Sequence, residues 1–182
     1  MRQMKVKIGT RGSALALAQS HLVANELKQS GWDVELEIIK TTGDKISNIP
    51  INSIGVKGLF VSEIEQALLD NRIDIAVHSM KDLPGTMPDG LMLAAVPKRE
   101  DPRDVLVGRT ALDIKTLKAG AVVGTSSQRR KAQLLAARPD INIADLRGNI
   151  DTRLRKLDEE KYDAICMAAA GMHRLNLTER IT

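Results

Sequence analysis

Apolar and polar residues alternate in short runs along this chain, and the runs switch repeatedly between two periods. Met4, Val6 and Ile8 are interleaved with Lys5 and Lys7, and Val34, Leu36 and Ile38 with Glu35 and Glu37; a period of two predicts two strands. Between them Gly9 to Gly12 break the pattern, and Ser13 is placed to cap a helix over ALALAQSHLVANELK, with Leu15, Ala18 and Leu22 on one face. Gly43 to Gly58, holding Pro50 and three glycines, reads as a loop, after which Phe60, Ile64 and Leu68 recur at helical spacing. Ile73, Ile75 and Val77 predict a third strand, and Leu91 to Val96 a fourth. PKREDPRD (Pro97 to Asp104) is charged and carries two prolines, which marks a crossing. The expected division is a first domain over 1–98, a hinge over 99–103 and a second domain over 104–182. Beyond the crossing the same rhythm predicts strands at Asp104–Val107, Ala121–Gly124, Asn142–Leu146 and Tyr162–Met167. Helices are expected over Ser127–Ala137, over Asn149–Glu159 and from about Ala170. Strands alternating with helices predict an α/β chain of two mixed, mainly parallel sheets with flanking helices.

Composition narrows the function classes. The 182 residues are 43% hydrophobic and 27% charged, which is globular rather than disordered, with room for one large or two small domains. No apolar run approaches the ~20 residues of a membrane helix, and no signal-peptide core stands at the start. A single cysteine, Cys166, gives neither a disulfide framework nor a cysteine-rich zinc site. In the apolar run DAICMA it reads as an inert core thiol. His21 and His173 form no metal-ligand pattern, so no metal is expected, and a cytoplasmic, membrane-free setting is. The net charge of +4 favours an anionic ligand. Aromatic residues make up 2% of the chain, too few for the stacking platforms of single-strand binders. Duplex binding through phosphates has only charge in its favour, and the sequence has no helix-turn-helix signature. No nucleic-acid partner is expected.

Candidate chemistry gathers where strands end and helices begin, the edge at which open α/β sheets bind ligands. Thr10, Arg11, Gly12 and Ser13 follow the first strand, and His78, Ser79, Met80, Lys81 and Asp82 the third. In the second half, Thr125 to Arg130 follow one strand; Arg147, Gly148 and Asn149 follow another, with Arg153 a turn later. Unpaired helix N–H groups and arginine forks suit carboxylates or phosphates. So many converging cations suit a polyanion. Arg129 and Arg130 at a helix start oppose its dipole, which points to an anion, the alternative being a solvated pair. Arg155 and Lys156 read as plain surface, and His78 as a structural histidine. Asp82, in KDLP, is either a turn aspartate before Pro84 or the acid of a cationic site, able to hold an ammonium group or move a proton.

IGTRGSALALAQ, VKGLF, VHSMKDLPG, VGTSSQRRKAQL and DLRGNIDTRL stand in this order. Together they resemble the hydroxymethylbilane synthase (porphobilinogen deaminase) family of tetrapyrrole and heme biosynthesis, from about Met4 to the end of the chain. The resemblance implies three domains, the first two hinged and type II periplasmic-binding-protein-like. It also implies a transferase that joins four porphobilinogen molecules head to tail into hydroxymethylbilane with loss of ammonia. Growth would start on a dipyrromethane cofactor bound to a cysteine. By the same resemblance Asp82 is the catalytic aspartate, and Arg11, Ser13, Lys81, Arg129, Arg130, Arg147 and Arg153 bind cofactor or substrate carboxylates. Ser79, Thr125 and Ser127 are supporting hydroxyls, Gln19 and Lys57 face the same cleft, and Arg174 is a further cleft arginine. Val56 departs from the family's glycine before Lys57, and Cys166 from an aliphatic residue. The family's cofactor cysteine belongs to a third domain outside this chain. The chain is therefore expected to be an N-terminal portion, its first domain lacking a return segment, inactive alone, monomeric and specific for porphobilinogen. The competing expectation is a binding-protein-like module that closes on a small anion without catalysis; KDLP together with QRRKAQ argues against it.

Overall fold

A computed structural model describes residues 4–42 and 61–182. The chain divides into two compact units, Met1–Val96 and Pro97–Thr182.

In the first unit, strand β1 (Lys5–Thr10) lies between β2 (Asp33–Ile38) and β3 (Ile75–Ala76), all parallel. The β1–β2 ladder runs from Lys5 opposite Asp33 to Thr10 opposite Ile38. Helix α1 (Ala14–Gln29) begins at Ser13, whose hydroxyl accepts the Ala16 N–H at 3.4 Å. Its buried face is centred on Ser20 and Ala24, and Leu22 is 55% exposed. The expected stripe of Leu15, Ala18 and Leu22 is thus rotated from the observed one: small residues face inward and let the helix lie close to its sheet. Helix α2 (Ser62–Leu69) buries Ile64 and Ala67 against Ile39 and Ile73. The third strand is only two residues long. The expected fourth, Leu91 to Val96, is irregular, with Met92 78% and Val96 65% exposed. An apolar run becomes a strand only where a neighbour offers ladder partners, and no described residue pairs with it. The VKGLF segment, with Lys57, lies outside the described residues.

The second unit holds β4 (Asp104–Gly108), β5 (Val122–Gly124), β6 (Asn142–Ala144) and β7 (Ala164–Ala168) in the order β4-β7-β5-β6. Three strands are parallel and β4 runs antiparallel to β7. The central strand reads AICMA because both its faces are covered. Ile165 and Met167 pack with Val107, Leu146, Leu154, Leu157 and Met172. Ala164 and Cys166 pack with Leu117, Val123, Leu134 and Ile141. Burial of Ile165 and Leu157 contributes roughly 1.5–3 kcal/mol each. Helices α3 (Gln128–Ala137), α4 (Ile150–Asp158) and α5 (Ala169–Arg174) flank the sheet, and two have side-chain caps where the sequence places them. The Ser127 hydroxyl accepts the Arg130 N–H at 3.4 Å, and Asn149 Oδ1 the Thr152 N–H at 2.9 Å. Among the described residues no helix is long and apolar enough to cross a membrane.

Candidate active site

At the carboxyl edge of the first sheet, α1 and the segment after β3 are tied by one side-chain bond. Gln19 Nε2 donates to Ser79 Oγ at 2.8 Å. Ser79 also opens the single 3₁₀ turn Met80–Asp82, whose Asp82 N–H donates to the Ser79 carbonyl at 2.9 Å. The turn presents Lys81 and Asp82 outward, with Nζ and carboxylate 4.0 Å apart. His78 is half-buried in the same group. Burial pushes its imidazole below the usual histidine range; Asp82 pulls upward and Arg11 adds to the depression. Those opposed charges place Arg11, His78 and Asp82 in one electrostatic neighbourhood, with His78 neutral at pH 7.

The second unit's edge begins where β5 ends. The Thr125 N–H continues the ladder to the Ala144 carbonyl at 2.9 Å, and Thr125 Oγ1 accepts the Ser127 N–H at 3.2 Å. These bonds set the direction of α3, and with it Arg129 and Arg130. Both arginines meet an acid absent from the expected site. Arg129 Nη1 donates to Asp104 Oδ2 at 2.5 Å and to Gln133 Oε1 at 3.1 Å. Arg130 Nε donates to Asp104 Oδ1 at 2.9 Å, and its Nη1 to the Cys166 carbonyl at 3.0 Å. Burial works to raise the Asp104 carboxyl, and the two guanidiniums outweigh it, holding it below the usual carboxylate range. The cost of two cations at a helix N-terminus is therefore offset inside the chain. Sequence reasoning missed Asp104 because it is the first residue of a strand. The antiparallel course of β4 sets it opposite Ala168, the last residue of β7, and so at the carboxyl edge.

Arg153 lies in the same field: burial, then the charge of Arg130, lowers its guanidinium. Its Nε donates to the Gly148 carbonyl at 2.7 Å. Gly148 has φ +112°, and a Cβ there would lie 2.6 Å from Thr152 Cγ2, so the turn carrying Arg147 requires glycine. Arg174 ends α5 instead, where its charge acts on Glu100. Lys156, expected as plain surface, is half-buried and donates to the Arg147 carbonyl at 3.2 Å. Cys166 is buried, and burial pushes its thiol up. A cavity of about 240 Å³ beside the Asp104–Arg130 pair is lined on its aliphatic side by Val105, Leu106, Ile114 and Leu134. Among the described residues no three His, Cys, Asp or Glu gather as a metal cluster.

Residues 6–182 match the family described as porphobilinogen deaminase, dipyromethane cofactor binding domain. A porphobilinogen deaminase of Syntrophobacter fumaroxidans is 56% identical over 184 residues, covering 100% of this chain and 60% of that protein. One from Clostridioides difficile is 53% identical, covering 98% of this chain and 60% of its own length. Among solved structures, a candidate methionine-binding lipoprotein from Bacillus subtilis aligns with a TM-score of 0.51 at 11% identity, over 97% of this chain and 76% of that one. That likeness bears on the fold alone, and it agrees with the expected binding-protein-like architecture. The chain spans about 60% of the length of these two deaminases. With its motifs in register across residues 6–182, the chain belongs to the porphobilinogen deaminase family.

Proposed function

We propose that the protein acts as a hydroxymethylbilane synthase, a cytoplasmic, monomeric transferase that joins four porphobilinogen molecules head to tail and releases ammonia at each step, for tetrapyrrole synthesis. One observation carries the reading. Arg129 and Arg130 share the one carboxylate of Asp104 at a strand edge, and the half-buried Arg153, in the field of Arg130, holds the Gly148 carbonyl, so three guanidiniums stand against one acid. Such a group gains most from an anion with several carboxylates, and every pyrrole of this pathway carries two. Arginine forks bind carboxylates bidentately, at roughly 1.5–3 kcal/mol per charge-assisted bond.

The same donor set fits a dipyrromethane cofactor, whose carboxylates would be held by Arg129, Arg147 and Arg153 with Thr125 and Ser127 beside them. When bound, that group supplies the covalent primer for chain growth. Asp82 is assigned the pyrrole N–H groups and the positive charge that develops as ammonia leaves, the role a fixed carboxylate performs electrostatically. Lys81 and Arg11 bind carboxylate on the same unit, and Gln19 fixes the turn through Ser79. Ammonia release from porphobilinogen, with uroporphyrin appearing after oxidation, tests the reading on the full-length protein. Binding of porphobilinogen without ammonia release would overturn it in favour of a small-anion binding module.

A further inference from the structure

The backbone on either side of Arg147 is held in an unusual way. Four consecutive carbonyls each accept a hydrogen bond from a side chain. Tyr162 Oη donates to Asp145 at 2.7 Å, Ser126 Oγ to Leu146 at 3.1 Å, Lys156 Nζ to Arg147 at 3.2 Å and Arg153 Nε to Gly148 at 2.7 Å. The Leu146 N–H donates back to Ser126 Oγ at 3.1 Å, so one hydroxyl serves both polar groups of that residue. The β5–β6 ladder ends at Gly124 opposite Ala144, and the Thr125 N–H adds one more backbone bond. Past that point side chains take over. Surface loops ordinarily leave such carbonyls to water. Here three separate segments converge on one tetrapeptide, and Leu146 is fully buried.

We propose that Ser126, Lys156 and Tyr162 are positioning residues for Arg147: they fix its backbone before any ligand arrives, and so raise affinity without touching the ligand. The inference rests on the reading that Arg147 takes a pyrrole carboxylate. A loop ordered in advance loses less freedom when its arginine is engaged. Lys156 thus acts through a carbonyl, and Ser126 keeps the start of α3, which bears Arg129 and Arg130, in register with the loop bearing Arg147.

The test is a set of single and double variants of the full-length enzyme, assayed for KM toward porphobilinogen, kcat and thermal midpoint. Ser126→Ala, Lys156→Met and Tyr162→Phe should each raise KM by about three- to tenfold, as expected for one lost hydrogen bond, with kcat within about twofold. Ser126→Thr, which keeps the hydroxyl, should restore KM. In an Arg147→Leu background, or Arg147→Lys if the first is too slow to assay, Ser126→Ala should raise KM no further. An equal KM rise in both backgrounds, or a lower thermal midpoint with KM unchanged, would overturn the proposal and leave the tethers purely structural. If Arg147→Leu itself leaves KM and the cofactor content by intact mass unchanged, the reading of Arg147 as a ligand residue fails instead.

Discussion

The two sheet edges solve different problems. In the first unit, Gln19 is bonded to Ser79, and a single 3₁₀ turn presents an outward pair of Lys81 and Asp82. In the second, Asp104 holds two arginines and four side chains hold the Arg147 turn. Under the proposed function, the contrast separates chemistry from recognition: the acid assigned to developing charge stands accessible, and the arginines assigned to carboxylates are held beforehand.

Four measurements would break or sharpen that contrast. The largest effect belongs to the first unit's edge: Asp82→Asn should lower turnover by about 10²–10⁴-fold. Because the carboxylate is half-exposed, stability should change by no more than about 0.5 kcal/mol. Unimpaired ammonia release from this variant would remove the catalytic assignment. On the second unit's edge, the sign of the contrast reverses. Asp104→Ala leaves Arg130, only 12% exposed, without its acid, and should cost about 2–4 kcal/mol in urea unfolding. A loss below about 0.5 kcal/mol would mean that the Cys166 carbonyl alone holds Arg130.

Gly148→Ala imposes both a strained φ and a contact with Thr152, at about 1–3 kcal/mol. Adding Thr152→Ser should recover the contact part and not the backbone part, as read by the urea midpoint. The smallest effect lies just ahead of β4. Arg103 grips Asp101 through three bonds, Nε to both carboxylate oxygens at 2.9 Å and Nη2 to one at 2.6 Å, which with a backbone bond lowers that carboxyl from 3.8 to about 2. A depressed acid stabilises the fold above its ordinary value and loses that contribution as pH falls through about 2. Carboxyl-carbon NMR should show Arg103→Gln returning the titration toward 3.8.

Much of this architecture is legible in the residues. Ser13, Ser127 and Asn149 mark three helix starts because capping is local chemistry, decided within four residues. The strands of the second unit fall within two residues of their expected limits for a similar reason, since period-two runs and glycines bound them. Where a feature depends on a distant neighbour, the reading falters. Leu91 to Val96 has the composition of a strand and no described partner; Leu22 has helical spacing and faces solvent. Asp104 stands in a charged crossing segment and joins the arginines only through the direction of β4. The carbonyl tethers have no residue signature at their accepting end. Ser126 is identifiable as a strand-end hydroxyl, but nothing in TSSQRR tells which backbone group it will meet.

The reversed strand β4 has one more consequence. Its first residue is at once the fastening point of the preceding segment and the counter-ion of two guanidiniums, with the Ala169 N–H bound to the carbonyl of the adjoining Arg103 at 3.0 Å. Side chains on a strand alternate between faces, so sliding β4 along β7 by a single residue would carry the Asp104 carboxylate to the far side. Both guanidiniums would be released together. Strand register is thus an electrical setting: the alignment of one ladder decides whether this unit presents a compensated surface or a strongly positive one.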